Sequence, residues 1–150
     1  MNHTTDDLAK VLISTEPEEL GAVLAENAGR MAGSFKPFSG YFKELLRLHG
    51  KTQQSVIRKA GFSDKYGYRL LSEESHTRQR DYILRLCLAA ELSLDELQRV
   101  LRLYGMAPLY ARTARDAVII SAVSHGIFEL DAINELLTEN GQTAISLYSE

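Results

Sequence analysis

The sequence predicts an all-α fold. Apolar residues recur at helical spacing in one segment after another, and a capping residue or a glycine punctuates nearly every segment. Runs that alternate apolar and polar side chains, as a half-buried strand requires, are nearly absent. With 150 residues, 45% hydrophobic and 25% charged, the chain suits one globular core or a small domain with helical extensions.

The helices follow in order. Thr15 and Glu18 have the spacing of a capping box, and Leu20, Val23, Leu24 and Ala28 follow on one helical face. The stretch 32–40 holds Gly33, Pro37 and Gly40 and reads as a connection. Phe42, Leu45, Leu46 and His49 repeat at helical spacing until Gly50. Thr52 is a good N-cap for a short helix with Val56, Ile57 and Ala60, ended by Gly61. Ser63 caps the next helix, which runs to about Ser72. Only Gly61 and Phe62 separate these two, so they must cross sharply.

Polar residues Glu73 to Thr77 make a loop, and Ile83, Leu86, Cys87 and Ala90 mark another helix. Ser93 and Glu96 form a second capping box ahead of Leu94, Leu97, Leu101 and Tyr104, and Gly105 stops that helix. Pro108 sits in a linker, followed by helices expected at about Thr113 to His125 and Glu129 to Asn140. The organisation expected is an N-terminal helical extension over 1–40, a central domain over 41–105 and a C-terminal helical extension over 106–150.

The formal charge is −3, but its distribution is uneven. Residues 1–40 carry three basic and six acidic side chains, 41–85 ten and five, and 86–150 four and nine. A basic segment between two acidic ones is the footprint expected of a phosphate-binding surface, although a solvated helical face would look the same. One cysteine excludes an internal disulfide and fits a reducing compartment. The start, Met1 to Lys10, is polar and acidic rather than signal-like, and no apolar run approaches the ~20 residues that span a bilayer. Ala117 to Val123, the longest apolar candidate, suits a buried helix. These features predict a cytoplasmic protein.

The segment from Thr52 to Leu71 carries the sharpest signal. Thr52-Gln53 opens its first helix and Ala60-Gly61 ends it; Phe62-Ser63 forms the turn, and Arg69-Leu70 lies late in the second helix. With the apolar run from Leu84 to Leu97 that follows, residues 41–105 resemble the XRE, or lambda-repressor-like, helix-turn-helix family. The resemblance implies a helix-turn-helix domain with additional flanking helices. Packing by Val56, Ala60, Phe62 and Leu70 would leave the outer face of the Ser63 helix free to enter a major groove.

The chain departs from the family pattern at several positions. It has Ile57 where a small residue is usual, and Gly67 where a bulky aliphatic is usual. Glycine within a helix costs about 1 kcal/mol relative to alanine. Either the two changes compensate, with Ile57 filling the space that Gly67 vacates, or Gly67 admits a partner or a phosphate backbone. Glu73 and Glu74 replace the glycine and basic residues common in that loop, and would repel phosphates.

By resemblance, the DNA-facing positions are Gln53, Gln54, Ser63, Asp64, Lys65, Tyr68 and Arg69, with Lys51, Thr77 and Arg78 suited to backbone contacts. Glutamine can pair bidentately with adenine, arginine or lysine with guanine, and Asp64 could accept from cytosine. No catalytic constellation emerges. His3, His49, His76 and His125 are scattered without metal-site spacing, and Cys87 on an apolar face suits an inert buried thiol. No cofactor motif is present. Arg112, Arg115 and Asp116 suit the polar face of the helix expected at about Thr113 to His125, or a partner contact.

The expectation is a sequence-specific DNA-binding transcriptional regulator, a homodimer on duplex DNA, and not an enzyme. The alternative is a protein-interaction adaptor that keeps the helix-turn-helix scaffold without binding DNA. The apolar helices after Pro108 could close the protomer's own core, pair with a second copy or hold a partner protein.

Overall fold

The computed structural model describes residues 36–147, and within them the chain is all-helical with no strand. The helices are α1 (Pro37–Leu48), α2 (Gln53–Lys59), α3 (Asp64–Leu71), α4 (Arg80–Ala89), α5 (Leu94–Leu103), α6 (Ala114–Ser124) and α7 (Leu130–Glu139). The helix expected after Thr15 lies outside the described residues. None of the described helices is long and apolar enough to cross a membrane.

Local signals set most boundaries. The Thr52 and Ser63 hydroxyls accept the N–H groups of Ser55 and Tyr66 at 3.1 and 3.2 Å, capping α2 and α3. Ser93 and Glu96 close a reciprocal capping box on α5. Between α2 and α3 the chain reverses at Gly61, whose φ of +85° is open to glycine and costly for other residues. There the Phe62 N–H bonds back to Ile57 O at 3.2 Å and the Gly61 N–H to Arg58 O at 3.0 Å, satisfying the carbonyls at the end of α2.

The start of α1 corrects the sequence reading, which placed 32–40 in a connection. Pro37 begins the helix, where its missing N–H is harmless. The N–H of Ser39 finds its acceptor far along the chain, in the Glu73 carboxylate at 3.2 Å. Lys36 adds a bond from Nζ to Ser72 O at 2.9 Å. The loop after α3 thus caps α1, and a carboxylate at a helix N-terminus also favours the helix dipole. Glu73 holds a left-handed φ of +63° to do so. Glu73→Ala is expected to destabilise the fold by about 1–2 kcal/mol in chemical denaturation, as loss of a cap does. Glu73→Gly should cost less, because glycine relieves the left-handed backbone; equal costs would show that the backbone conformation contributes nothing.

The core forms one cluster. Phe38, Phe42 and Leu46 of α1, Val56 and Ile57 of α2, and Leu70 and Leu71 of α3 pack around α4, which is buried from Tyr82 to Ala89. A short helix buried on all sides needs no polar face, yet α4 carries Arg85, 2% exposed. Its Nε donates to Ala60 O at 2.8 Å, and its guanidinium lies 4.1 Å from the Phe62 ring centroid. Cys87, also on α4, is wholly buried, and burial pushes its thiol far above the ordinary range. Ile119, Ala122 and Val123 of α6 and Ile133 and Leu137 of α7 belong to the same cluster. The helices after Pro108 therefore close the protomer's own core.

An ionic clasp holds that closure. Arg80 and Asp81 begin α4, and Arg115 and Asp116 lie in the first turn of α6. The pairs cross: the Arg80 guanidinium bonds both carboxylate oxygens of Asp116, and Arg115 bonds both oxygens of Asp81 at 3.1 and 3.0 Å. Asp116, 3% exposed, also accepts the Tyr110 N–H at 2.9 Å. Arg115 and Asp116, expected on a solvated or partner-facing surface, are internal ties.

Candidate functional site

The pair α2–α3 is built from short-range rules, and its interior explains the unusual glycine. Ile57 is fully buried, and a Cβ placed on Gly67 would stand 2.2 Å from its Cγ2. The Ile57 side chain fills the volume that a side chain at Gly67 would need. Gly67 is itself buried, so it admits no outside partner. Of the two explanations open in the sequence, the compensating pair is the one the geometry bears out.

This packing leaves Lys65, Tyr68 and Arg69 of α3 on its outer side. Lys65 and Arg69 are exposed, and four residues apart on a helix places them one turn apart on one face. Neither side chain has a hydrogen bond or ion pair among the described residues. Tyr68, 42% exposed, lies three residues after Lys65, one turn along the helix. Ser63 is exposed at the N-cap, Gln53 is half-buried and Gln54 is exposed at the start of α2. Arg78 is exposed in the loop after α3, again with no carboxylate partner among the described residues.

Other expected residues are differently placed. Lys51 bonds Glu91 at 2.8 Å, which holds the Glu91 carboxyl below its usual range. Glu91 takes a left-handed φ of +55° at the end of α4, and Lys59 approaches it at 3.9 Å while also pairing with Glu129 at 3.4 Å. Lys51 thus neutralises a carboxylate within the fold. Thr77, expected at the surface, is buried. Its N–H donates to the Tyr104 hydroxyl at 2.9 Å and its Oγ1 accepts the Gln79 N–H at 3.0 Å. The neighbouring His76 stacks on the Tyr104 ring at 4.7 Å, so the whole loop is pinned to the end of α5. Burial raises the Tyr104 pKa above its ordinary value.

Asp64 also differs from its expected role. Both of its oxygens face Arg58: Nε lies 3.1 Å from Oδ1 and Nη2 2.9 Å from Oδ2. Gln54 Nε2 lies 3.4 Å from Oδ2. These bonds, with Arg58 dominant, hold the Asp64 carboxyl below its ordinary range. A carboxylate so engaged is poorly disposed to accept from cytosine. Arg58 was not singled out in the sequence; the signal that could have found it is its position six residues before Asp64, across a two-residue turn.

The basic excess of 41–85 is thereby resolved. Arg47, Lys51, Arg58, Lys59 and Arg80 all have carboxylate partners, and Arg85 is buried. Among the described residues, Lys43, Lys65, Arg69 and Arg78 have no carboxylate partner, and of these Lys65 and Arg69 stand on α3 and Arg78 in the loop after it. Glu73 is occupied at the start of α1, while Glu74 remains exposed. No group of His, Cys, Asp or Glu among the described residues could hold a metal ion. Comparison of the chain with protein-family models, curated proteins and solved structures finds no match.

Proposed function

We propose that the protein binds duplex DNA through α3 as a sequence-specific transcriptional regulator of the XRE type, acting as a homodimer. The observation that carries this reading is the pair Lys65 and Arg69, exposed one turn apart and without carboxylate partners among the described residues, while most neighbouring cations are paired. Charges left unpaired on one helical face are available to phosphates and base edges. Glu73, which weighed against DNA in the sequence, is occupied at the start of α1, and Gly67 is accounted for by its packing on Ile57. The homodimer rests on the two-fold symmetry that half-site recognition by such domains ordinarily uses.

Binding is expected to weaken steeply with salt, by roughly 0.9 in log–log slope for each phosphate contact. Arg69→Ala should cost about 1–3 kcal/mol on the preferred site and little on random duplex. Lys51→Ala should change DNA binding little, since Lys51 faces Glu91. The test is selection from random duplex DNA followed by titration at several salt concentrations. Equal losses on preferred and random duplex would make Arg69 a phosphate holder only.

The exposed Tyr68 favours a second reading. Exposed tyrosine and arginine on one short helix are residue types enriched at protein interfaces. On that reading the same face of α3 docks a protein, and the chain is an adaptor. No duplex binding at low salt would favour it.

A further inference from the structure

We propose that Arg58, held in position by Asp64, reads a guanine at the edge of the α3 site; the inference rests on the DNA-binding reading above. The argument begins with how the two side chains meet. Asp64 engages the Nε–Nη2 side of the guanidinium, at 3.1 and 2.9 Å. That side-on pair leaves Nη1 and the second Nη2 hydrogen pointing away from the carboxylate, and Nη1 has no partner among the described residues. An arginine presents its donors as a rigid planar fork. Fixing one edge therefore fixes the direction of the other.

The free edge matches two acceptors side by side. Guanine offers such a pair at O6 and N7, and a phosphate offers one as well. The adjacent charge decides between them. Asp64 cancels the charge of Arg58, so the pair as a whole has little Coulomb attraction for a phosphodiester, and its carboxylate repels one at close range. A neutral base edge meets no such penalty. Location agrees: Asp64 is the first residue of α3, and the N-terminal residues of a recognition helix are those that reach base edges. The Arg58 side chain is 63% exposed, open enough for a duplex to reach it. Asp64 is then a positioning residue that restricts Arg58 before DNA arrives, which reduces the side-chain ordering that binding must otherwise impose.

The test compares wild type with Arg58→Ala, Arg58→Lys and Asp64→Asn. Each is used in selection from random duplex DNA, then titrated by fluorescence anisotropy on the wild-type-enriched site and on a scrambled duplex. Thermal melting confirms that each variant is folded. Arg58→Ala should lose the preference for guanine at one position and weaken binding to the enriched site on the order of 10- to 100-fold, with the scrambled duplex little changed. Arg58→Lys should resemble it, because lysine keeps the charge and lacks the fork. Asp64→Asn should relax the preference at that same position while tightening binding to the scrambled duplex, since a negative charge is removed. If Arg58→Ala enriches the same sequence as wild type, or weakens all duplexes alike, the inference is overturned and the DNA-binding reading stands. If wild type enriches nothing, that reading falls and this one with it.

Discussion

Gly67→Ala is expected to destabilise the protein, although alanine is the better helix former by about 1 kcal/mol. The added Cβ would lie 2.2 Å from Ile57 Cγ2 and 2.7 Å from Cγ1, well inside contact distance. Ile57 is β-branched and fully buried, so it has little freedom to turn away. Overpacking of this kind costs about 1–3 kcal/mol, and Gly67→Ile should cost more. Ile57→Ala alone leaves a cavity and should cost about 2–5 kcal/mol. The informative result is a reversal of sign. In the Ile57→Ala background, Gly67→Ala no longer meets a side chain and becomes stabilising, and Ile57→Ala with Gly67→Ile recovers part of the lost stability. Urea unfolding free energies for the singles and doubles measure this coupling directly. Additive effects would show that the helices adjust their spacing instead.

Asp116→Ala should be the most damaging single substitution at the α4–α6 clasp, at about 3–5 kcal/mol, the cost typical of breaking a buried ion pair from one side. It leaves the Arg80 guanidinium and the Tyr110 N–H without the acceptor they share. Arg115→Ala should cost less, about 1–2 kcal/mol, because both side chains of the Arg115–Asp81 pair remain partly exposed and water can replace the lost partner. Asp116→Asn, which preserves shape and one acceptor, should fall between. Thermal and urea unfolding give the ranking. A loss below about 1 kcal/mol for Asp116→Ala would mean that apolar packing alone holds α6 in place.

The parts of this fold legible in the sequence are those fixed within a few residues. Thr52, Ser63 and the Ser93–Glu96 box cap the helices they were expected to cap, and Gly50, Gly61 and Gly105 stand just past helix ends with positive φ. Ile57 and Gly67 were readable because a departure at one position raised a question that a departure at a nearby position could answer. What escaped has partners far along the chain. Arg80 and Asp116 are 36 residues apart, Glu73 and Ser39 34, and Lys51 and Glu91 40. No local pattern ties such residues together. For the same reason Thr77 looked like a surface threonine: its burial depends on Tyr104, which closes over it from another helix. Within the site, the types of residue were legible and their pairing was not. Only the geometry separates Lys65 and Arg69, which have no partner among the described residues, from Lys51, which has Glu91.

Cys87 supplies the fold with a natural clock. The sequence contains one cysteine, and its thiol is sealed in the middle of α4, which the other helices surround. Reaction requires the thiolate and access together, and the native state withholds both. An alkylating reagent can therefore modify the chain only when the bundle opens around α4. When labelling outpaces reclosing, its rate is the rate of those openings; when reclosing is faster, it reports their equilibrium population, in either case with no residue substituted to introduce a probe.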